Sequence, residues 1–267
     1  MLLRLTNACN EMCPHCLVDA TPDGMHMSVD VFKNVCAFLL RTGTRSISVS
    51  GGEPTLHPQF LDMMQDLIRV KDIMVDSGVV ILITNGTWIL DTTMTCNIKK
   101  LLRQGVQVQV STQKEFYKNH DMIMSHEKCF VQMGCEFCHD SIEQLVRIGR
   151  CKPDAFSKFP VTPSTCANIA LTARQLQYNK WLPTLELRGN FCKPSINVDG
   201  SISAGESPLC TPLGTVMNTV QALHTAAVNH NPRNCNRCSG WDPLRRRHAT
   251  AAEFFTGRKF PQDPCGS

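Results

Sequence analysis

With 267 residues, 42% hydrophobic and 19% charged, the chain is long enough for one large α/β domain, alone or with a small appended module, around a sizeable core. Its formal net charge of +4 admits an anionic substrate without demanding nucleic acid. No apolar stretch reaches membrane-spanning length and the N-terminus lacks a signal peptide's charged region and cleavage site, so no membrane partner and a reducing cytoplasm are expected.

In such a compartment fifteen cysteines point to metal rather than disulfides. Three of them come at once. A short apolar run, Leu2 to Leu5, leads into Cys9-Asn10-Glu11-Met12-Cys13-Pro14-His15-Cys16, a C-x3-C-x2-C spacing. Three thiolates on one loop can hold three irons of a cubane iron–sulfur cluster and leave the fourth without a protein ligand. An open coordination position marks a reactive metal site rather than a structural one.

After this loop, Thr21-Pro22-Asp23-Gly24 reads as a turn. Ser28 caps a helix with Asp30 in its first turn, Val31, Phe32, Val35, Phe38 and Leu39 recur at helical spacing, and Gly43 stops the run. Residues 45–50 alternate as a strand and end in Gly51-Gly52-Glu53-Pro54. A second helix is expected over 58–70. The continuous apolar run 79–83 suits a parallel strand covered on both faces and ends in Thr84-Asn85-Gly86. A third helix over 92–103 and a strand over 106–110 follow, the latter ending in Ser111-Thr112-Gln113. This alternation predicts βαβ units in a parallel sheet. Each strand's C-terminal end carries polar or glycine residues, at the edge where such folds place their active sites. Asn85-Gly86 reads equally well as a plain turn.

From about Lys114 the pattern loosens, with helices expected at 141–148 and 167–177, a connecting stretch over 152–165 and a strand at 184–188. Ser195–Val198 and Ser201–Ser203 around Asp199-Gly200 form a two-residue-turn hairpin. Cys192 and Cys210 flank it, and Cys235-x2-Cys238 follows. Four thiolates suit tetrahedral zinc or a closed iron–sulfur cluster. Cys129, Cys135, Cys138 and Cys151, with His139, form a looser group that a metal could also use. Cys36 and Cys96 read as small buried apolar residues. Arg245, Arg246 and Arg247 fall in an expected terminal helix, as a solvated face or a phosphate contact.

The chain resembles the radical S-adenosylmethionine (SAM) superfamily, with residues 1 to about 115 carrying the match. The resemblance implies an α/β fold, a partial (β/α)6 barrel over residues 1–188. It also implies a small C-terminal hairpin and helix module over 189–267, similar to the twitch or SPASM auxiliary-cluster module. Cys9, Cys13 and Cys16 match the ligands of the family's [4Fe–4S] cluster, whose open iron binds the amino and carboxylate groups of SAM. His15 matches the position before the last cysteine, near the adenine. Gly51, Gly52 and Glu53 match the Gly-Gly-Glu motif that meets the SAM amino group, and Thr84, Asn85 and Ser111 match the tips of the third and fourth strands. Where the family often has Ser, an apolar residue, then Asp, this chain has Thr112 and Gln113 after Ser111. Cys192, Cys210, Cys235 and Cys238 match a second, auxiliary [4Fe–4S] site.

The function this implies is reductive cleavage of SAM to a 5′-deoxyadenosyl radical and hydrogen abstraction from a polar small molecule, an amino-acid-like group or a modified nucleotide, as an oxidoreductase or isomerase. Flavodoxin or ferredoxin is the expected electron donor. No catalytic acid or base is identified; Glu115, Asp140 and Glu186 are candidates. A peptide maturase is an alternative, weakened by the expectation that no peptide-recognition domain lies ahead of the barrel, as is an isomerase in phage-type DNA base hypermodification. A different class is a non-catalytic zinc or iron–sulfur protein that binds nucleic acid. The βα alternation and an aromatic content of 6%, thin for base stacking, speak against it.

Overall fold

The computed structural model of the chain describes residues 1–44, 46–73, 78–114, 116–138, 150, 194–205, 208, 210 and 212–229. Its centre is a run of parallel strands, β1 (Leu2–Thr6), β2 (Ser46–Gly51), β3 (Val79–Thr84) and β4 (Gln107–Ser111), each paired with the next. The helices between them are α1 (Val29–Thr42), α2 (Phe60–Ile73) and α3 (Thr92–Arg103). Ser28 caps α1 by accepting from Val31 N, and Gly43 ends it in the left-handed conformation at φ 59°. Asp91 caps α3 with bonds from Thr93 N and Met94 N. The second helix starts later than its periodicity predicts, because Pro54–Leu56 first form a 3-10 turn.

Strand alternation divides the sheet into two chemistries. Leu3, Leu5, Ile47, Val49, Val80, Leu82, Val108 and Val110 share one buried face and pack in one core with Phe32, Val35, Phe38 and Leu39 of α1 and Phe60, Met63, Met64 and Leu67 of α2. The register puts Arg4, Ser48, Ser50, Ile81, Ile83, Gln107 and Gln109 on the opposite face. The expectation that β3 is covered on both faces is corrected here: Val80 and Leu82 are buried, whereas Val79, Ile81 and Ile83 are half-buried, since these helices cover one face.

Beyond β4 come α4 (His120–Ser125), α5 (Glu127–Met133) and β5 (Glu136–Cys138), which pairs parallel with β4. On the far side of β1 lies the predicted hairpin, β6 (Ser195–Ile196) and β7 (Ser201–Ser203), followed by β8 (Pro212–Thr215) and α6 (Val220–Asn229). Gly200 sits at φ 80° in the hairpin turn, where Gly200 N donates to Asn197 O at 2.9 Å. The hairpin continues the main sheet: β6 pairs parallel with β1, and the strand order is β5-β4-β3-β2-β1-β6-β7-β8. Arg4, 1% exposed, secures this junction by donating from Nη1 to Ser195 Oγ at 2.7 Å and Asn197 Oδ1 at 2.8 Å. The described residues on either side of residue 189 therefore share one open, unclosed sheet, a partial barrel. The expected elements at 141–148, 167–177 and 184–188 and the arginine-bearing terminal helix lie outside the described residues. Among the described residues no helix is long and apolar enough to cross a membrane.

Candidate functional site

The cysteine loop leaves β1 where two other segments lie against its backbone. Gly51 N-terminal to Gly52 closes β2 at φ 135°, and a Cβ on it would stand 2.2 Å from Thr6 O. A Cβ on Gly52 would stand 2.1 Å from Ala8 O, and one on Gly24 2.1 Å from Asn7 C. Only glycine lets β2 and the 21–24 turn come this close. The approach is sealed by backbone bonds: Gly52 N to Thr6 O at 2.7 Å, Glu53 N to Ala8 O at 2.7 Å and Cys9 N to Thr21 O at 2.9 Å. The glycine pair thus fixes the root of the loop that carries the thiols.

Within the loop Cys9 is buried and Cys13 and Cys16 are half-buried. Glu11 N donates to Cys9 Sγ at 3.4 Å and Ala20 N to Cys16 Sγ at 3.3 Å. Burial pushes the Cys9 and Cys13 thiols up. The neighbouring Glu53 and Cys16 add to this at Cys9, and Cys9, Glu11 and Cys16 add to it at Cys13, while Arg150 pulls Cys13 down. Three mutually repelling, partly desolvated thiols favour ionisation only with cationic ligands between them. Among the described residues no three His, Cys, Asp or Glu side chains are arranged to hold a single metal ion. Three thiols on one loop, with amide N–H groups already aimed at two of the sulfurs, fit the donor set of an iron–sulfur cluster.

The strand tips converge on this loop. Glu53 is fully buried, and its carboxylate ties β2 to β3. Oε1 accepts from Thr55 N at 3.1 Å, Thr55 Oγ1 at 2.6 Å and Thr84 Oγ1 at 2.8 Å, and Oε2 accepts from Asn85 N at 2.7 Å. Burial pushes its carboxyl up; the Thr55, Asn85 and Thr84 hydrogen bonds pull it back. Asn85 does two jobs. Its Oδ1 accepts from Thr87 N at 3.0 Å, the turn foreseen from the sequence, and its Nδ2 donates to Asn10 Oδ1 at 2.8 Å, which reaches into the cysteine loop. At β4, Ser111 Oγ lies 2.9 Å from Tyr117 Oη, and the ring centroids of Phe116 and Tyr117 lie 4.4 and 5.6 Å from that of His15. His15 therefore meets an aromatic pair from the segment after β4.

Several of these residues escape a reading of the sequence. Glu11, 3% exposed, accepts at Oε1 from Asn119 Nδ2 at 2.6 Å. Arg150 lies across the loop: its N donates to Cys16 O at 3.0 Å, its Nε is 2.7 Å from Asp19 Oδ1, and its Nη2 donates to Ala20 O. Phe116 and Tyr117 offered one signal, an adjacent aromatic pair just past a strand tip in a chain with two tyrosines. Asn10, Glu11, Asn119 and Arg150 offered none, since their partners are distant in sequence.

The other cysteine groups are described only in part. Cys129 is exposed, and Cys135 is buried, with its thiol pushed up to about 11 by burial; Cys138 ends β5. Cys210 is half-buried. Cys151, Cys192, Cys235 and Cys238, with His139, Glu115, Asp140 and Glu186, lie outside the described residues.

The family model for the radical SAM superfamily matches residues 3–126. Over 130 residues the chain is 25% identical to the antilisterial bacteriocin subtilosin biosynthesis protein AlbA of Bacillus subtilis (strain 168), a match covering 48% of this chain and 27% of that protein. It is 33% identical over 85 residues to a GTP 3′,8-cyclase of Chlorobaculum tepidum, 32% of this chain and 24% of that protein. The matched stretches thus span about a quarter of the length of these curated relatives. Among solved structures, native anSMEcpe with bound AdoMet and Cp18Cys peptide superposes with a TM-score of 0.54 at 16% identity, covering 91% of this chain and 90% of that one. At that identity the likeness is one of fold.

Proposed function

We propose, from the match of residues 3–126 to the radical SAM family model, that the chain is a radical SAM enzyme in which Cys9, Cys13 and Cys16 hold a [4Fe–4S] cluster, the strand tips hold SAM, and a hydrogen atom is removed from a polar substrate. The observation that carries this reading is the bracing of a three-thiol loop by the tips of β2, β3 and the segment after β4. When bound, the cluster and SAM together supply one-electron cleavage of SAM to methionine and a 5′-deoxyadenosyl radical.

The chain's own residues position and enclose this chemistry. Gly51 and Gly52 set the height of the cysteine loop above the sheet. Glu53 fixes Thr84 and the Asn85 amide in place, so that the β2 and β3 tips move as one piece. His15, backed by Phe116 and Tyr117, offers a flat apolar surface for a purine ring. Ser111 Oγ offers a hydroxyl for a ribose. The apolar rings and the buried loop root limit water at the point of reaction.

The substrate side of the sheet supports the polar-substrate reading. Arg4, Ser48, Ser50, Gln107, Gln109, Ser195 and Asn197 share a face with Leu2, Ile81 and Ile83, a mixed and mainly polar surface in place of the continuous apolar one a lipid-like substrate favours. Oxidation and isomerisation both begin with the same hydrogen removal; Cys192, Cys210, Cys235 and Cys238 would hold a closed second cluster, whose chemistry would be to take up the electron that an oxidation leaves over. A second reading, a peptide substrate, is favoured by the likeness to the bacteriocin biosynthesis protein.

The test is anaerobic reconstitution with iron and sulfide, followed by SAM and dithionite. Formation of 5′-deoxyadenosine is expected, with flavodoxin or ferredoxin able to replace dithionite. Its absence from a chain that has taken up iron overturns the enzyme reading. Deuterated small molecules and peptides then separate the two substrate classes by label transfer into 5′-deoxyadenosine.

A further inference from the structure

Resting on the cluster reading above, we propose that Glu11 and Arg150 are opposed charges that set the reduction potential of the cluster on the cysteine loop, Glu11 lowering it and Arg150 raising it.

Glu11 lies between Cys9 and Cys13 in the chain and is 3% exposed. One carboxylate oxygen is fixed by Asn119 Nδ2 at 2.6 Å; the other, Oε2, is buried with no hydrogen-bond partner among the described residues. Its backbone N donates to Cys9 Sγ at 3.4 Å, so the charge is built into the ligand loop itself. An acceptor buried with one oxygen unmatched is costly to stability, and a role in the site accounts for it.

Arg150 comes from far along the chain yet touches the loop from Met12 to Ala20. Its Nη1 lies 3.6 Å from Met12 Sδ, its N bonds Cys16 O, and its Nη2 bonds Ala20 O. The partner carboxylate, Asp19, is 63% exposed in its side chain, against 20% for Arg150. Solvent therefore screens Asp19 more than it screens the guanidinium, and the pair leaves net positive potential on the loop side.

Reduction adds one negative charge to the cluster. A buried carboxylate nearby opposes that charge, and a guanidinium favours it; the burial of Glu11 and of most of the Arg150 side chain limits solvent screening of both. Burial effects and cluster hydrogen bonds tune such potentials in general. Glu53 is also close to Cys9, but its carboxylate already accepts four hydrogen bonds.

The experiment uses the full chain, reconstituted anaerobically with iron and sulfide. The potential of the cluster whose signal disappears in Cys13→Ala is followed by electron paramagnetic resonance in a mediated dithionite titration. Glu11→Gln, which keeps an acceptor for Asn119, is expected to raise the potential by roughly a tenfold change in the reduction equilibrium, about 59 mV for one electron. Arg150→Gln lowers it by a similar factor, Arg150→Lys stays with the wild type, and Glu11→Gln/Arg150→Gln returns toward it. A role in loop packing alone loosens the site in both variants and moves both potentials the same way, which overturns the assignment. So does a change below twofold in Glu11→Gln at wild-type iron content, a result that decides the matter even where Arg150→Gln fails to hold iron. A wild-type chain that takes up no iron defeats the cluster reading itself and this inference with it.

Discussion

Gly52 has no space for a side chain, and the atom in its way is a backbone oxygen of the cysteine loop, Ala8 O at 2.1 Å. Gly52→Ala therefore pushes the loop root off β2. The expected cost is roughly 1–3 kcal/mol, typical of overpacking, read as a lower Tm, together with reduced iron uptake. Gly43→Ala is the comparison: a Cβ there meets nothing within 4 Å, so it strains only its own left-handed backbone and leaves iron uptake unchanged. Glu53 makes a second residue-scale test. Its folded carboxyl is raised above the ordinary 4.5, by burial first. Above that value the unfolded chain releases the proton sooner than the native state does, so this group's stabilising contribution is full at acid pH and falls as pH rises toward the folded value. Gln does not titrate and sets an N–H2 against donors from Thr55 and Thr84 or from Asn85. Glu53→Gln is expected to lower Tm at every pH, with the gap to wild type widest in acid and narrowing as pH rises. A gap that widens toward alkaline pH would show that the native carboxyl is depressed instead. The Gly-Gly-Glu stretch was legible as a motif from its letters, but its cause was not. Nothing local to residues 51–53 reveals that Thr6 and Ala8 lie over them.

At the scale of elements, the cysteine loop behaves as a piece of structure held from outside. Asn85 grips Asn10, Asn119 grips Glu11, Phe116 backs His15, and Arg150 lies across Cys16 to Ala20. The strands β1 to β4 and helices α1 to α3 were legible because each offers enough residues for a period to show, with caps at Ser28 and Gly43 marking the ends. The short α4 and α5, of 6 and 7 residues, hold too few turns to show a stripe, and β5 has 3 residues. The hairpin turn at Asp199-Gly200 was legible, yet its docking on β1 was not. That pairing is set by Arg4 reaching Ser195 and Asn197, 191 and 193 positions away. The same distance rule hid Phe116. Its ring is 5% exposed, so Phe116→Ala is expected to cost about 3 kcal/mol and to release His15. The distinguishing readout is SAM affinity by equilibrium dialysis on reconstituted protein. Weaker binding with iron content unchanged supports the purine surface proposed for His15; unchanged affinity with a lower Tm assigns Phe116 to packing alone.

Taken as a whole, the molecule separates its tasks across one sheet. The helix-covered face carries the apolar core, the opposite face and the C-terminal edge carry the residues proposed here for chemistry, and the β6–β8 end brings Cys210 into the same sheet system as Cys9, Cys13 and Cys16. If two metal groups share this scaffold, they differ in what their loss removes. Cysteines 9, 13 and 16 would leave one coordination position open for SAM, so losing one of them would remove the place where SAM is cleaved. Cysteines 192, 210, 235 and 238 would fill every position of a second cluster, so losing one removes an electron acceptor and leaves SAM cleavage possible. Cys13→Ala is therefore expected to abolish 5′-deoxyadenosine formation. Cys210→Ala is expected to retain substrate-independent 5′-deoxyadenosine formation while losing about half of the iron bound by the wild type, the share of one cubane cluster of two. Because Cys210 is half-buried beside β8, its loss can also loosen the sheet end, and a thermal melt separates that case. Retained cleavage at a near-normal Tm with halved iron supports the division of labour. Equal loss of cleavage in both variants, with both folded, contradicts it and makes the two cysteine groups parts of a single site.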